Sequence, residues 1–314
     1  MALPAIADVR SGRRDATLAV AARAAVAPLF SLVRDAGGID DVVTLPPRGA
    51  APLAGFDAAI LFPNSFHSAM SVARSGVRER WGYRADWRGM LLTRAVDPAP
   101  SGVHQVDSYR RLVAALGFAN GSAMPRLEIV PAVREAGRAL LHGAGWDGRT
   151  PLAAIAPGAA YGSAKRWPAA SFADLAAGLA QDGVATVMVG AAADRATAAE
   201  VVRELRGRTT LIDVVGQTDI PALAGVLASV RALMANDSGA LHLAAALGVP
   251  VTAAFGPTDE RLSAPRGAGP GSHVTILTHD TWCRPCVLRE CPLEHACMLG
   301  ISASEALAAT RRTL

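Results

Sequence analysis

No apolar run in this chain is long enough to cross a bilayer as a helix, which takes about 20 residues. The best candidates are interrupted: Arg231 breaks ALAGVLASVRALMA, and Gly248 and Pro250 break LAAALGVPVTAAF. Aromatic residues are scarce at 5% and are not interleaved with basic ones, which argues against a base-stacking nucleic-acid surface. Charged residues are only 18% and hydrophobic ones 51%, a balance that excludes disorder. Lysine and isoleucine are rare beside arginine and alanine, a bias of coding composition more than of function. Arg13 and Arg14, followed by an Ala-rich stretch to residue 30, faintly mimic a secretion signal. Arg23 interrupts its apolar part, and an amphipathic helix accounts for it better. The chain therefore reads as soluble and cytoplasmic. Its net charge of +4 permits attraction to anionic lipid headgroups or to a phosphorylated acceptor, and is too mild to require nucleic acid.

What is present is an alternation of short apolar runs and helical patterns. Strands are expected at 16–20, 41–45 and 58–62, a helix at 107–117, extended chain at 125–130 and a helix at 132–144. The Gly- and Pro-rich stretch GWDGRTP at 145–151 marks a domain boundary. A second series follows: strands at 152–157, 185–190, 210–216, 232–236 and 249–256, with helices at 171–183, 194–207, 220–230 and 239–248. Ser171 is the expected N-cap of the first of these helices. Such alternation implies parallel sheets covered on both faces. Two Rossmann-like domains are expected, 1–150 and 151–314. In parallel sheets ligands bind where strands feed into helices, so those loops are the ones to inspect.

NDSGALH at 236–242 closes a strand and opens a helix, a natural phosphate cradle. Ser238 and Gly239 allow close approach, Asp237 suits the helix cap, and His242 lies one turn in; an ordinary capped helix with a buried histidine would look the same. PGAAYGSAKRWP at 157–168 offers two adjacent cations, Lys165 and Arg166, for a leaving diphosphate, or is simply a solvated loop plugged by Trp167. FGPTD at 255–259 could complete a phosphate site or be a common turn. LFPNSFHSA at 61–69, with Arg84 and Arg88, offers Asn64, Ser65 and His67 for a polar, anionic acceptor, or a helix cap and a basic surface. All four cysteines, Cys283, Cys286, Cys291 and Cys297, fall within 15 residues. A structural zinc site or clustered free thiols both fit; disulfides need an oxidising compartment that nothing else supports.

In this order, LFPNSFHSA, PGAAYGSAKRWP, NDSGALHLAAALGVPV, FGPTD and the CxxC-x4-CP-x5-C tail resemble glycosyltransferase family 9, the heptosyltransferases of lipopolysaccharide synthesis. The resemblance spans nearly the whole chain. It implies an α/β GT-B fold, with two doubly wound domains facing a cleft. The acceptor would lie in the N-terminal domain and ADP-heptose in the C-terminal one, and the last helix, 303–312, would pack back toward the first domain. It implies inverting transfer to the heptose of the lipopolysaccharide inner core, with no metal required. Lys165 would stabilise the departing ADP. Asp237, Ser238, Gly239, His242, Gly256, Pro257 and Thr258 would line the donor, Asp194 the ribose and Thr218 the adenine. Asn64, Ser65, His67, Arg84 and Arg88 would hold the acceptor. Peripheral contact with the anionic inner membrane is compatible with the charge.

MALPAI at 1–6 resembles a segment inside the family's first helix. The family's preceding strand, and the Gly-Asp loop bearing its general base, have no counterpart here. Either an internal methionine stands at the start of a longer chain or the protein lacks both features. The alternatives in function are an ADP-sugar-binding relative impaired in transfer, and a GT-B transferase using another nucleotide sugar.

Overall fold

A computed structural model describes residues 1–49, 51–118, 121–268 and 273–314. The chain divides into two compact units, Met1–Pro125 and Arg126–Leu314.

The first unit opens with α1 (Leu3–Gly12), whose first turn carries Pro4, where the missing N–H costs no helical bond. Its Ala5 and Val9 pack on Val113 of α4 (Gln105–Ala115). Two parallel strands, β1 (Ala19–Arg23) and β2 (Asp41–Leu45), flank α2 (Ala27–Asp35). A separate parallel sheet has the order β3 (Ala58–Leu61), β4 (Glu79–Tyr83), β5 (Arg94–Val96), with α3 (Phe66–Arg74) between its first two strands. The expected doubly wound sheet is thus drawn here as two smaller ones. Apolar side chains rather than ladder hydrogen bonds join them: Val43 and Leu45 of β2 pack with Leu53, Ala59 and Val77. The first strand lies at 19–23 rather than 16–20. The Asp40 carboxylate accepts the Leu18 N–H at 2.7 Å and fixes the chain's entry into the sheet just after it.

The second unit holds α5 (Pro131–Gly143), β6 (Leu152–Ala156), α6 (Ala169–Gln181), β7 (Ala185–Met188), α7 (Arg195–Leu205), β8 (Ile212–Asp213) and α8 (Ile220–Leu227). Then come β9 (Ala232–Asn236), α9 (Gly239–Ala246), β10 (Val251–Phe255), α10 (Glu260–Ser263), β11 (Val274–Thr278), α11 (Ala296–Leu299) and α12 (Ala303–Arg311). Its six strands form one parallel sheet, ordered β11-β10-β9-β6-β7-β8. Every residue of β6, β9 and β10 is buried, as helices on both faces require. The chain winds outward from β6 through β7 to β8, then returns to β6's other side with β9. The order therefore reverses between β6 and β9, where a ligand crevice is expected in such sheets.

Two expectations are corrected here. The division falls at residues 125/126, not in the Gly- and Pro-rich stretch at 145–151. The Leu127 N–H already donates to the Ala246 carbonyl at 2.8 Å. α5, expected in the first domain, packs on α8 so closely that a methyl on Gly137 would lie 2.1 Å from the Gly225 carbonyl carbon. The 145–151 stretch is a tight turn within this unit, with Trp146 buried and its Nε1–H bonded to the Thr150 carbonyl at 2.9 Å. α6 begins at Ala169 behind Pro168, so Ser171 is inside the helix rather than its cap. The buried face of α12 is taken up within its own unit: Leu307 covers Gly178, Thr310 meets Thr252, and Arg311 pairs with Asp182 at 2.7 Å.

Candidate functional site

The loop at 157–168 leaves the carboxyl end of β6 and is held from beneath by Asn236, the fully buried last residue of β9. The Asn236 Oδ1 accepts the Trp167 N–H at 2.9 Å, and its Nδ2 donates to the Pro157 carbonyl at 2.8 Å. Trp167 is the expected plug: it is buried, edge-on to Phe172 at 4.9 Å, with its indole N–H on the Ile301 carbonyl. The plug anchors the loop, and Lys165 stands two residues before it.

Lys165 reaches Asp237 at the end of β9, Nζ to Oδ2 at 2.5 Å, with both side chains nearly buried. The same Oδ2 accepts the Thr258 hydroxyl at 2.8 Å, which brings in the loop after β10. The His242 Nε2 lies 3.9 Å from Asp237 Oδ1. Four of the sequence-predicted donor residues therefore converge around one carboxylate at the point where the strand order reverses. Asp237 is not the expected helix cap. The N-cap of α9 is Ser238, which makes no side-chain capping bond. The first N–H groups of α9 thus keep their capacity for an anion, with the positive end of the helix dipole behind them. The Ser238 hydroxyl is buried without a partner among the described residues. Gly239 has open space where a side chain would project.

Lys165 is the sole lysine among 31 basic residues. Against a bias that writes arginine everywhere else, a lysine here suits a compact ammonium held as a point charge rather than a planar fork. Its Nζ also sits 4.8 Å from the ring centroid of Tyr161 in the same loop. Neither Tyr161 nor Asn236 was singled out from sequence, although both lie inside the quoted motifs.

The remaining predicted donor residues are placed differently. The Asp194 carboxylate lies over Gly158, where a Cβ would fall 2.2 Å from its Cγ, and accepts the Ala191 N–H at 2.9 Å. It braces the β6 and β7 loops against each other. Thr218 follows β8 at the sheet edge, two strands from β6. Gly256 is a packing glycine: a Cβ would meet the Met298 sulfur at 2.4 Å and the Cys297 sulfur at 3.1 Å. Pro257 accepts the Val287 N–H at 2.8 Å through its carbonyl.

The acceptor residues expected in the first unit are only partly available. Arg88 is fully buried, and its guanidinium is spent on the carbonyls of Tyr83 and Pro63 and on Asn64 Oδ1. Burial pulls its pKa down, against the opposing pull of Asp86. Arg88 therefore braces the loops after β3 and β4, while Asn64, which accepts from it, stays exposed. Ser65 caps α3 by accepting the Ser68 N–H at 3.2 Å. His67 and Arg84 remain exposed, Arg84 with a loose contact of 3.8 Å to Asp97.

The four cysteines are free thiols lining one cavity of about 360 Å³, walled also by Ala164 and Pro257 of the two site loops. Among the described residues, no group of three or more His, Cys, Asp or Glu is arranged to hold a metal ion. Burial pushes the Cys297 thiol up, and the three other cysteines push the same way.

A parallel α/β unit with an anion cradle at its strand reversal, preceded by a smaller parallel α/β unit, is the architecture of GT-B glycosyltransferases. The solved E. coli ADP-heptose lipopolysaccharide heptosyltransferase II shares this fold, with a TM-score of 0.77 at 21% identity, covering 99% of this chain and 93% of that one. An E. coli heptosyltransferase solved with ADP-2-deoxy-2-fluoro heptose matches with a TM-score of 0.70 at 18% identity, covering 100% and 95%. Lipopolysaccharide heptosyltransferase 2 of Salmonella typhimurium is 30% identical over 217 residues, or 67% of this chain and 62% of that protein's length. The profile of glycosyltransferase family 9 (heptosyltransferase) matches residues 53–297. The chain belongs to that family. Among the described residues, no helix is long and apolar enough to cross a membrane.

Proposed function

We propose that this protein transfers heptose from ADP-heptose to the heptose of the lipopolysaccharide inner core, with inversion. The observation that carries the reading is the Lys165–Asp237–Thr258 constellation beside the uncapped N-terminus of α9. An acceptor hydroxyl attacks the anomeric carbon and gives up its proton to water, the bond from that carbon to the diphosphate oxygen breaks, and ADP leaves with the electron pair. Lys165 and the α9 N–H groups meet the charge that grows on the leaving oxygen. Fixed donors aimed at developing charge act in this way without reorganising. Asp237 holds the ammonium in place, and Thr258 holds Asp237. The similarity to lipopolysaccharide heptosyltransferases, one of them solved with an ADP-heptose analogue, supports heptose and ADP as the donor's two parts.

The second unit is the donor unit in this reading and the first is the acceptor unit. The whole net charge of the chain lies in the first: 14 arginines against 10 carboxylates in Met1–Pro125, and 17 cations against 17 carboxylates in the rest. That asymmetry supports an acceptor of phosphorylated lipid at an anionic membrane surface, approached from the cytoplasmic side as a peripheral protein.

The test is calorimetric titration of the full chain with ADP and with UDP, followed by transfer to an isolated inner-core acceptor. Tighter binding of ADP, with turnover reduced about 10²-fold or more in Lys165→Ala, is expected for loss of a donor to the leaving group. Preference for UDP would point to another nucleotide sugar. Binding of ADP with no transfer to any inner-core acceptor would identify an ADP-sugar-binding relative.

A further inference from the structure

The Cys-rich segment does more than fill space. It wraps over the carboxyl end of the sheet and is tied to both site loops. The Val287 N–H donates to the Pro257 carbonyl at 2.8 Å, and the Tyr161 hydroxyl donates to the Val287 carbonyl at 2.8 Å. The Ala164 N–H donates to the Arg289 carbonyl at 3.0 Å. Gly162 leaves room for that approach, since a Cβ there would fall 2.1 Å from the Arg289 oxygen. Arg284 locks the base of the strap through its Nε–H on the Gly256 carbonyl at 2.8 Å and an ion pair with Glu260.

These ties place two cations on one aromatic ring. The Arg289 guanidinium carbon is 5.2 Å from the Tyr161 centroid, and the Lys165 ammonium is 4.8 Å from it. The charge balance of the site shows why a second cation matters. Lys165 is neutralised by Asp237, and Asp194 adds a further carboxylate beside Gly158. A nucleoside diphosphate carries about two negative charges or more. Arg284 and Arg261 are committed to Glu260 and Asp259. Arg289 is exposed and pairs with no carboxylate among the described residues. A planar guanidinium stacked on a ring is held in direction while its N–H donors stay open, which suits bidentate binding of a phosphate.

We infer that Arg289, carried into the donor site by the Cys-rich strap and oriented by Tyr161, is the second cation that binds the diphosphate. The inference rests on the donor-site reading above and assigns a role to a segment that reading leaves unused. Its test is titration of the wild-type chain, Arg289→Ala and Arg289→Lys with ADP and with AMP at two salt concentrations. Arg289→Ala is expected to weaken ADP about tenfold and AMP less than twofold, and to flatten the salt dependence of ADP binding. Arg289→Lys is expected to recover part of the loss. Unchanged ADP affinity in Arg289→Ala, while the wild type binds ADP, would overturn the inference and leave the donor-site reading standing. Equal losses for ADP and AMP would also overturn it, because they would make Arg289 a mere clamp of the strap. A wild-type chain that binds no ADP would overturn both.

Discussion

Replacing Asn236 by alanine should both destabilise the second unit and loosen the site, although Asn236 is fully buried beneath the loop. The side chain satisfies the Trp167 N–H and the Pro157 carbonyl, at 2.9 and 2.8 Å. Alanine leaves both groups buried and unpaired. Each such orphan costs about 1–3 kcal/mol, so the pair should cost about 2–6 kcal/mol, a large share of the ~5–15 kcal/mol that holds a typical domain together. The amide's volume is also lost, and it cannot be refilled because β6 and β9 are fixed by their ladder. Urea unfolding followed by tryptophan fluorescence reads the stability, and titration with ADP reads the site. The expected result is a lower midpoint with an unchanged slope, together with weaker ADP binding, because the loop carrying Lys165 has lost its anchor. A midpoint shift equivalent to less than about 1 kcal/mol would refute the reasoning, since one buried orphan alone should cost that much.

Two glycines of α5 should respond in opposite directions. Gly137→Ala drives a methyl into the Gly225 backbone and should cost about 1–3 kcal/mol even after the gain in helix propensity, whereas Gly143→Ala meets nothing within 4 Å and should stabilise by up to about 1 kcal/mol. Thermal unfolding of the two variants against wild type checks the pair, and equal shifts would undo the placement of α5 on α8. Cys297 should be the slowest of the four thiols to alkylate in the native protein and should match the others in urea. Its raised pKa keeps it protonated at pH 8, and burial blocks the reagent. The sign for stability follows: the folded state prefers the neutral thiol, so Cys297's contribution is intact below the ordinary thiol value of 9.0 and is lost as pH rises above it. Mass-resolved alkylation against pH reads both effects.

Much of the second unit is legible in the sequence because its physics is local. β6, β9 and β10 are short apolar runs, and a strand buried on both faces has to be one. The loops worth inspecting follow from that alternation alone, and Lys165, Asp237 and Thr258 lie in them. β4 and β5 escape the same reading, because ERWGY and RAV carry charges on the faces that remain open. β11 escapes it because its VTILT lies at the sheet edge, is only partly buried and mixes threonine with its apolar residues.

What tertiary structure alone decides is which polar groups face one another. Arg88 and Arg84 look alike in sequence, yet one is a buried brace and the other is exposed. The difference is set by the carbonyls of Tyr83 and Pro63, which no spacing rule brings together. Asp237 could equally have capped α9, and it is the arrival of Lys165 and Thr258 from two other strands that claims its carboxylate. α5 belongs to the second unit through a glycine-to-glycine approach that composition cannot announce. The sequence by itself determined the buried strands of the second unit, their parallel sheet and the loops at its carboxyl ends, because hydrophobic periodicity is a local signal. The partners of each charge, and the meeting of Arg289 with Tyr161 and Lys165, depend on distances between segments far apart in the chain, and only the packed fold sets those.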